Sequence, residues 1–196
     1  LALWNGTAWQ ALGNGVDGQV AAMARLPNGD LVVGGRFATA GGVPCSNIAR
    51  WDGTSWNNLG TGIPAPGPFT NSVPVKALTV DPAGTLWVGG DFAIAGGVPC
   101  ANIARWDGAT WSPVGAGLSA ANASQTFVRG VTGLGVLPSG QVAAIGPFDS
   151  SGTSSLGFPL GGAARWTGAF WDRIGGGIGW LSHPSVSSML PLGMSV

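Results

Sequence analysis

The sequence predicts an all-β protein: a β-propeller of four-stranded antiparallel blades. Three observations predict it. One unit recurs along nearly the whole chain of 196 residues, each unit holds four short strand patterns, and those strands are apolar on both faces.

The repeat comes first, because it fixes the boundaries of everything else. VAAMARLPNGDLVVGGRFATAGGVPCSNIARWDGTSWNNLGTGI begins at Val20 and aligns with VKALTVDPAGTLWVGGDFAIAGGVPCANIARWDGATWSPVGAGL from Val75. VTGLGVLPSGQVAAIGPF from Val131 resumes after a longer loop as GGAARWTGAFWDRIGGGI. A fourth copy is divided between the ends. LALWNGTAWQALGNGV matches the second half of the unit, and VSSMLPLGMSV matches the first half. The chain is therefore expected to be one domain, 1–196, with blades over 20–63, 75–118, 131–178 and 186–196 plus 1–16. Trp4, Trp51, Trp106 and Trp166 are equivalent, and so are Trp9, Trp56, Trp111 and Trp171. The first set is spaced by 47, 55 and 60 residues, a period of roughly 40–50 residues with loop insertions.

Within a unit, strand one is VAAMARL, VKALTV or VTGLGVL. A tight turn with Gly29, Gly84 or Gly140 follows. Strand two is LVVGG, LWVGG or VAAIG, and a connection of ten or more residues leads to strand three, NIARW or GAARW. A short turn carrying Asn-Gly, Asp-Gly or Thr-Gly reaches strand four, SWNNLG and its relatives. Trp56 and Leu59 in strand four point to opposite sides. A sheet wetted on one face would alternate apolar with polar, so this pattern calls for sheets buried on both faces. Small residues at Ala22, Ala77 and Gly133 suit crowding at an axis. The divided fourth unit predicts four blades, one of them completed by the two termini. The alternative is a fragment of a larger repeat protein.

Composition narrows function by exclusion. Charged residues are 8% of the chain, with 8 basic and 8 acidic, for a net charge of zero. That leaves no basic footprint for nucleic acid and no polybasic face for anionic lipid. No apolar run approaches the roughly 18 residues that span a bilayer, so no membrane insertion is expected. Low charge with 36 Gly and 10 Trp suggests an extracellular or cell-surface protein. Cys45 and Cys100 hold one register in successive units, too far apart for a disulfide, and read as two separate buried thiols. No second Cys or His stands at metal-ligand spacing, and no cofactor is expected.

The order of hydrophobic strand, Gly-Gly, long loop, aromatic, short turn and Trp resembles the kelch-type repeat of galactose-oxidase-like propellers. Gly34-Gly35 with Trp51 and Trp56, and Gly89-Gly90 with Trp106 and Trp111, carry the resemblance; Ile145-Gly146 departs from it. The N-I-A-R-W-D-G-x-x-W core is also similar to repeats of large secreted bacterial proteins and of fungal cell-cortex polarity markers. The resemblance implies a fold and leaves function open, because propellers host enzymes, lectins and scaffolds alike. A copper-radical centre of galactose-oxidase type needs tyrosines and paired histidines. This chain has no Tyr and one His, His183.

Other chemistry is sparse. Asp91 and Asp149 come nearest to a carboxylate pair, which a glycosidase needs roughly 5–10 Å apart. No Ser lies in a nucleophile motif that His183 could serve. Arg50 and Arg105 read as structural, with Asp52 and Asp107 shaping the following turns. Asn5 and Asn122 match the glycosylation pattern. In a four-stranded meander the tight turns share one end of the sheets and the long connections share the other. Elaborated loops on a rigid scaffold are where ligands bind. The candidates at that end are Arg36, Asp91, Asp149, Phe69, Phe127, Trp180 and His183, whereas Phe37, Phe92 and Phe148 share a register as structural plugs. The expectation is a non-enzymatic secreted or surface module that binds a glycan or protein through the long-loop face. The alternative is a structural, self-assembling subunit of a sheath, filament or surface layer.

Overall fold

The computed structural model describes residues 1–65, 72–119, 130–148 and 160–174. Among them every regular element is a β-strand and every pairing is antiparallel. An N-terminal ribbon joins β1 (Ala2–Trp4) to β2 (Trp9–Ala11). The first full sheet begins with β3 (Gln19–Arg25) and β4 (Leu31–Arg36), before a small hairpin of β5 (Thr39–Ala40) and β6 (Val43–Pro44). It ends with β7 (Ile48–Trp51) and β8 (Trp56–Asn58), in the order β3-β4-β7-β8.

The second sheet repeats this plan. It contains β9 (Val75–Val80), β10 (Leu86–Gly90), the hairpin β11 (Ile94–Ala95) and β12 (Val98–Pro99), then β13 (Ile103–Trp106) and β14 (Trp111–Pro113). The third has β15 (Gly133–Val136), β16 (Val142–Ile145), β17 (Ala163–Trp166) and β18 (Trp171–Arg173). Each four-stranded sheet is a meander in chain order, as the repeat predicts. The two small hairpins were expected only as loop. Their signal was the Gly-Gly pair: Gly41 and Gly42 have φ of 57° and 85°, the backbone that a two-residue hairpin turn demands.

The repeat residues hold equal places in the ladders. Trp51 opposes Trp56, Trp106 opposes Trp111, Trp166 opposes Trp171, and Trp4 opposes Trp9. All four pairs are tilted, with ring centroids 5.3–5.6 Å apart.

The core lies between successive sheets. Leu12 and Val16, after the ribbon, pack on Val33, Phe37, Cys45 and Trp56 of the first sheet. The opposite face of that sheet offers Val32, Ile48, Leu59 and Ile63 to Val88, Phe92, Cys100 and Trp111 of the second. Trp87, Ile103, Val114 and Leu118 then meet Ala144, Phe148, Ala164 and Trp171 of the third. Trp56 and Leu59 do face opposite ways. Burying a side chain of this size contributes roughly 1.5–3 kcal/mol, so both faces of each sheet are held.

Successive sheets approach most closely through their first strands: β9 lies against β3 and β4, and β15 against β9 and β10. Gly34 permits this approach, since a Cβ there would run into the side chain of Val75 in the next sheet. Gly89 stands in the same relation to Val131.

A hydrogen bond recurs at each junction. The indole Nε1 of Trp56 donates to the Leu12 carbonyl at 2.9 Å, Trp111 to Leu59 at 2.9 Å, and Trp171 to Val114 at 3.4 Å. Trp9 and Trp4 depart from Trp56, Trp111 and Trp171, which are buried. They are 69% and 50% exposed, because no preceding sheet stands against the ribbon among the described residues. Met23 is 58% exposed, although its counterparts Leu78 and Leu134 pack within junctions.

Candidate functional site

The long-connection end is braced by two asparagines. Asn47 has φ of 71° and Asn102 of 65°, left-handed backbone that Asn tolerates. Asn47 Oδ1 accepts from Phe37 N at 3.1 Å, and its Nδ2 donates to the Ile63 carbonyl at 2.7 Å. Asn102 repeats both bonds, with Phe92 N at 3.3 Å and the Leu118 carbonyl at 2.7 Å. Each side chain thus ties the strand 2–3 connection to the strand 4–1 connection. Gly162 replaces them in the third unit, keeps φ at 80°, and accepts from Gly146 N at 3.0 Å as its counterparts do from Gly35 and Gly90. Sequence reasoning passed over this bracket. Its signal was Asn, Asn, Gly in one register, residue types that accept positive φ.

On that braced end, Arg36 closes β4. It is exposed, and its guanidinium has no hydrogen-bond or ion-pair partner among the described residues. Asp91 holds the same register in the second sheet, half-buried, with its Oδ2 accepting from Ser72 Oγ at 2.6 Å. Lys76 sits beside it as the extra residue of a β-bulge, since Val75 pairs with Gly90 and Ala77 with Gly89. Burial lowers the Lys76 ammonium pKa, and the Asp91 carboxylate opposes that shift. Phe37, Phe92 and Phe148 are buried, as expected of plugs. Asp149, Phe69, Phe127, Trp180, His183 and Asn122 lie outside the described residues.

The tight-turn end has its acidic groups tied up in its own backbone. Asp52 Oδ1 accepts from Thr54 N and Ser55 N at 2.9 and 2.8 Å, and Asp107 Oδ1 from Ala109 N and Thr110 N at 2.9 and 2.7 Å. Those bonds stabilise the charged form and hold both carboxyls below the usual range. Asn5 does the same work without charge, its Oδ1 accepting from Thr7 N and Ala8 N. Arg50 pairs with Asp30 at 3.3 Å and Arg165 with Asp172 at 3.2 Å, partners the sequence reading did not assign.

Cys45 and Cys100 are free and buried, and burial raises both thiol pKa values. Among the described residues no three His, Cys, Asp or Glu side chains come together as metal ligands, and no helix is long and apolar enough to cross a membrane. No protein-family model, curated protein or solved structure matches the chain.

Proposed function

We propose that the chain is a non-enzymatic β-propeller module of kelch type. It acts outside the cell or at its surface and takes up a glycan or protein through the long-loop face. A cation presented on the pinned long-connection end carries this reading. At the tight-turn end the Oδ1 atoms of Asp52, Asp107 and Asn5 accept from their own turns. At the other end, connections pinned by Asn47 and Asn102 present Arg36 to solvent with no partner among the described residues. Connections already pinned leave less loop ordering to be offset on binding.

The propeller reading extends the junction. The three indole-to-carbonyl bonds each join one sheet to the next. In a closed ring of four blades the fourth such bond would run from Trp9 Nε1 to the Ile174 carbonyl, and residues 186–196 would complete the blade begun by β1 and β2.

A glycan array and a pull-down, each run with the native chain and with Arg36→Ala, test the binding role. Retention of a ligand that Arg36→Ala weakens is the expected result. Failure of both assays removes the reading.

One observation favours a second reading, a structural subunit. Trp4 and Trp9 form an exposed aromatic pair on the N-terminal ribbon, and a second copy could cover it head to tail. Sedimentation over a wide concentration range separates the two readings: a constant monomer rules out the assembly.

A further inference from the structure

The three units place an arginine at one register, Arg50, Arg105 and Arg165, and among the described residues two of them find an acid. Arg50 takes Asp30 from the turn between strands one and two. Arg165 takes Asp172 from its neighbouring strand four. In the second sheet Thr85 stands where Asp30 does, and Ser112 stands where Asp172 does. Arg105 is exposed and has no ion-pair or hydrogen-bond partner for its guanidinium among the described residues.

Arg105 opposes both Trp87 and Ser112 in the ladder, so all three side chains lie on one face of the sheet. Trp87 packs into the junction with the third sheet, so that face looks toward it. There Thr85, Arg105, Asp107 and Ser112 line a shallow open cleft of about 210 Å³.

We propose that this cleft binds a uronic-acid residue of an acidic glycan, independently of the long-loop face. The guanidinium supplies two parallel donors that match a carboxylate. Thr85 and Ser112 each offer a hydroxyl that can donate or accept. Asp107 adds an acceptor: its Oδ2 takes one bond, from Thr110 Oγ1 at 2.8 Å, and keeps a lone pair for a sugar hydroxyl. This mixture of one cation, two hydroxyls and one carboxylate suits a sugar acid. A compact inorganic anion would use the arginine but has no hydroxyl to donate to Asp107. The volume admits a single sugar-sized group.

The test titrates the full chain with glucuronate, following binding by calorimetry and by the Arg105 Nε–H resonance, with glucose and inorganic sulfate in parallel. Saturable glucuronate binding, absent for glucose and weaker for sulfate, is expected. Thr85→Asp installs the acid that the first sheet already uses beside Arg50. It should leave the melting temperature near native and weaken glucuronate by at least about tenfold, the scale of one lost charge-assisted interaction. Arg105→Gln should abolish binding. The proposal is overturned by absence of saturable glucuronate binding, by sulfate binding as tightly, or by affinity that survives in folded Thr85→Asp.

Discussion

Trp111 Nε1 donates to the carbonyl of Leu59 across 2.9 Å and 52 residues of chain, joining the fourth strand of one sheet to the end of the sheet before it. Trp111 is 7% exposed and Leu59 1%, so neither partner has water as a substitute. Trp111→Phe keeps most of the ring and strands the carbonyl. The expected loss is about 1–3 kcal/mol, read as a lower urea midpoint with an unchanged slope. The longer Trp171 bond, 3.4 Å to Val114, should cost less when removed in the same way.

Asn47 and Asn102 should behave as structural brackets. Replacing either by Ala removes two bonds and forces a Cβ-bearing residue without a compensating contact to hold left-handed backbone. A loss of about 2–4 kcal/mol is expected. Asn102→Gly restores the backbone freedom that Gly162 shows in the third unit, so it should be milder than Asn102→Ala. Equal losses in the two variants would assign the whole effect to the side-chain bonds.

The spacing between sheets rests on absent side chains. Gly89→Ala drives a methyl against Val131, an overpacking that costs about 1–3 kcal/mol. Val131→Ala vacates the same space. The double variant should therefore be more stable than the sum of the single losses predicts, a coupling that a mutant cycle in urea measures directly.

Acid should weaken the turns in a defined window. Asp52 and Asp107 have carboxyl pKa values lowered in the folded chain by backbone N–H donors. Their stabilisation is full above the unfolded value near 4 and is lost progressively as pH falls toward the lower folded values. Asn5 shows that an amide serves the same turn. Asp52→Asn with Asp107→Asn should therefore melt near the native temperature at pH 7 and show a shallower decline between pH 4 and 2. An unchanged acid slope would mean that other groups govern it.

The meander was legible because its signals are local. Trp51 and Trp56 flank a turn with Asp52-Gly53, and the same pattern recurs at Trp106 and Trp111. The burial of both strand faces was equally visible, in Trp56 and Leu59. The Asn47 bracket was not legible, because it depends on the Ile63 carbonyl, sixteen residues away, arriving beside a turn. The lone Arg105 was half legible. Aligning the units shows Thr85 against Asp30, but only the fold shows that Arg50 chooses Asp30 while Arg165 chooses a residue on a different strand. Of the residues nominated on the long-loop face, Arg36 and Asp91 are described and do stand at that end of their sheets.

The proposed ring is tested most directly at Trp9. Hydrogen exchange of the five indole N–H groups of Trp9, Trp56, Trp87, Trp111 and Trp171, followed by NMR on dilute protein, compares the proposed fourth junction with the three in the fold. Closure predicts that the Trp9 indole is protected like those of Trp56 and Trp111, independently of protein concentration, and that protection falls in variants truncated before residue 186. A Trp9 indole that exchanges at the rate of a free side chain, while Trp56 and Trp111 stay protected, would contradict the closed propeller.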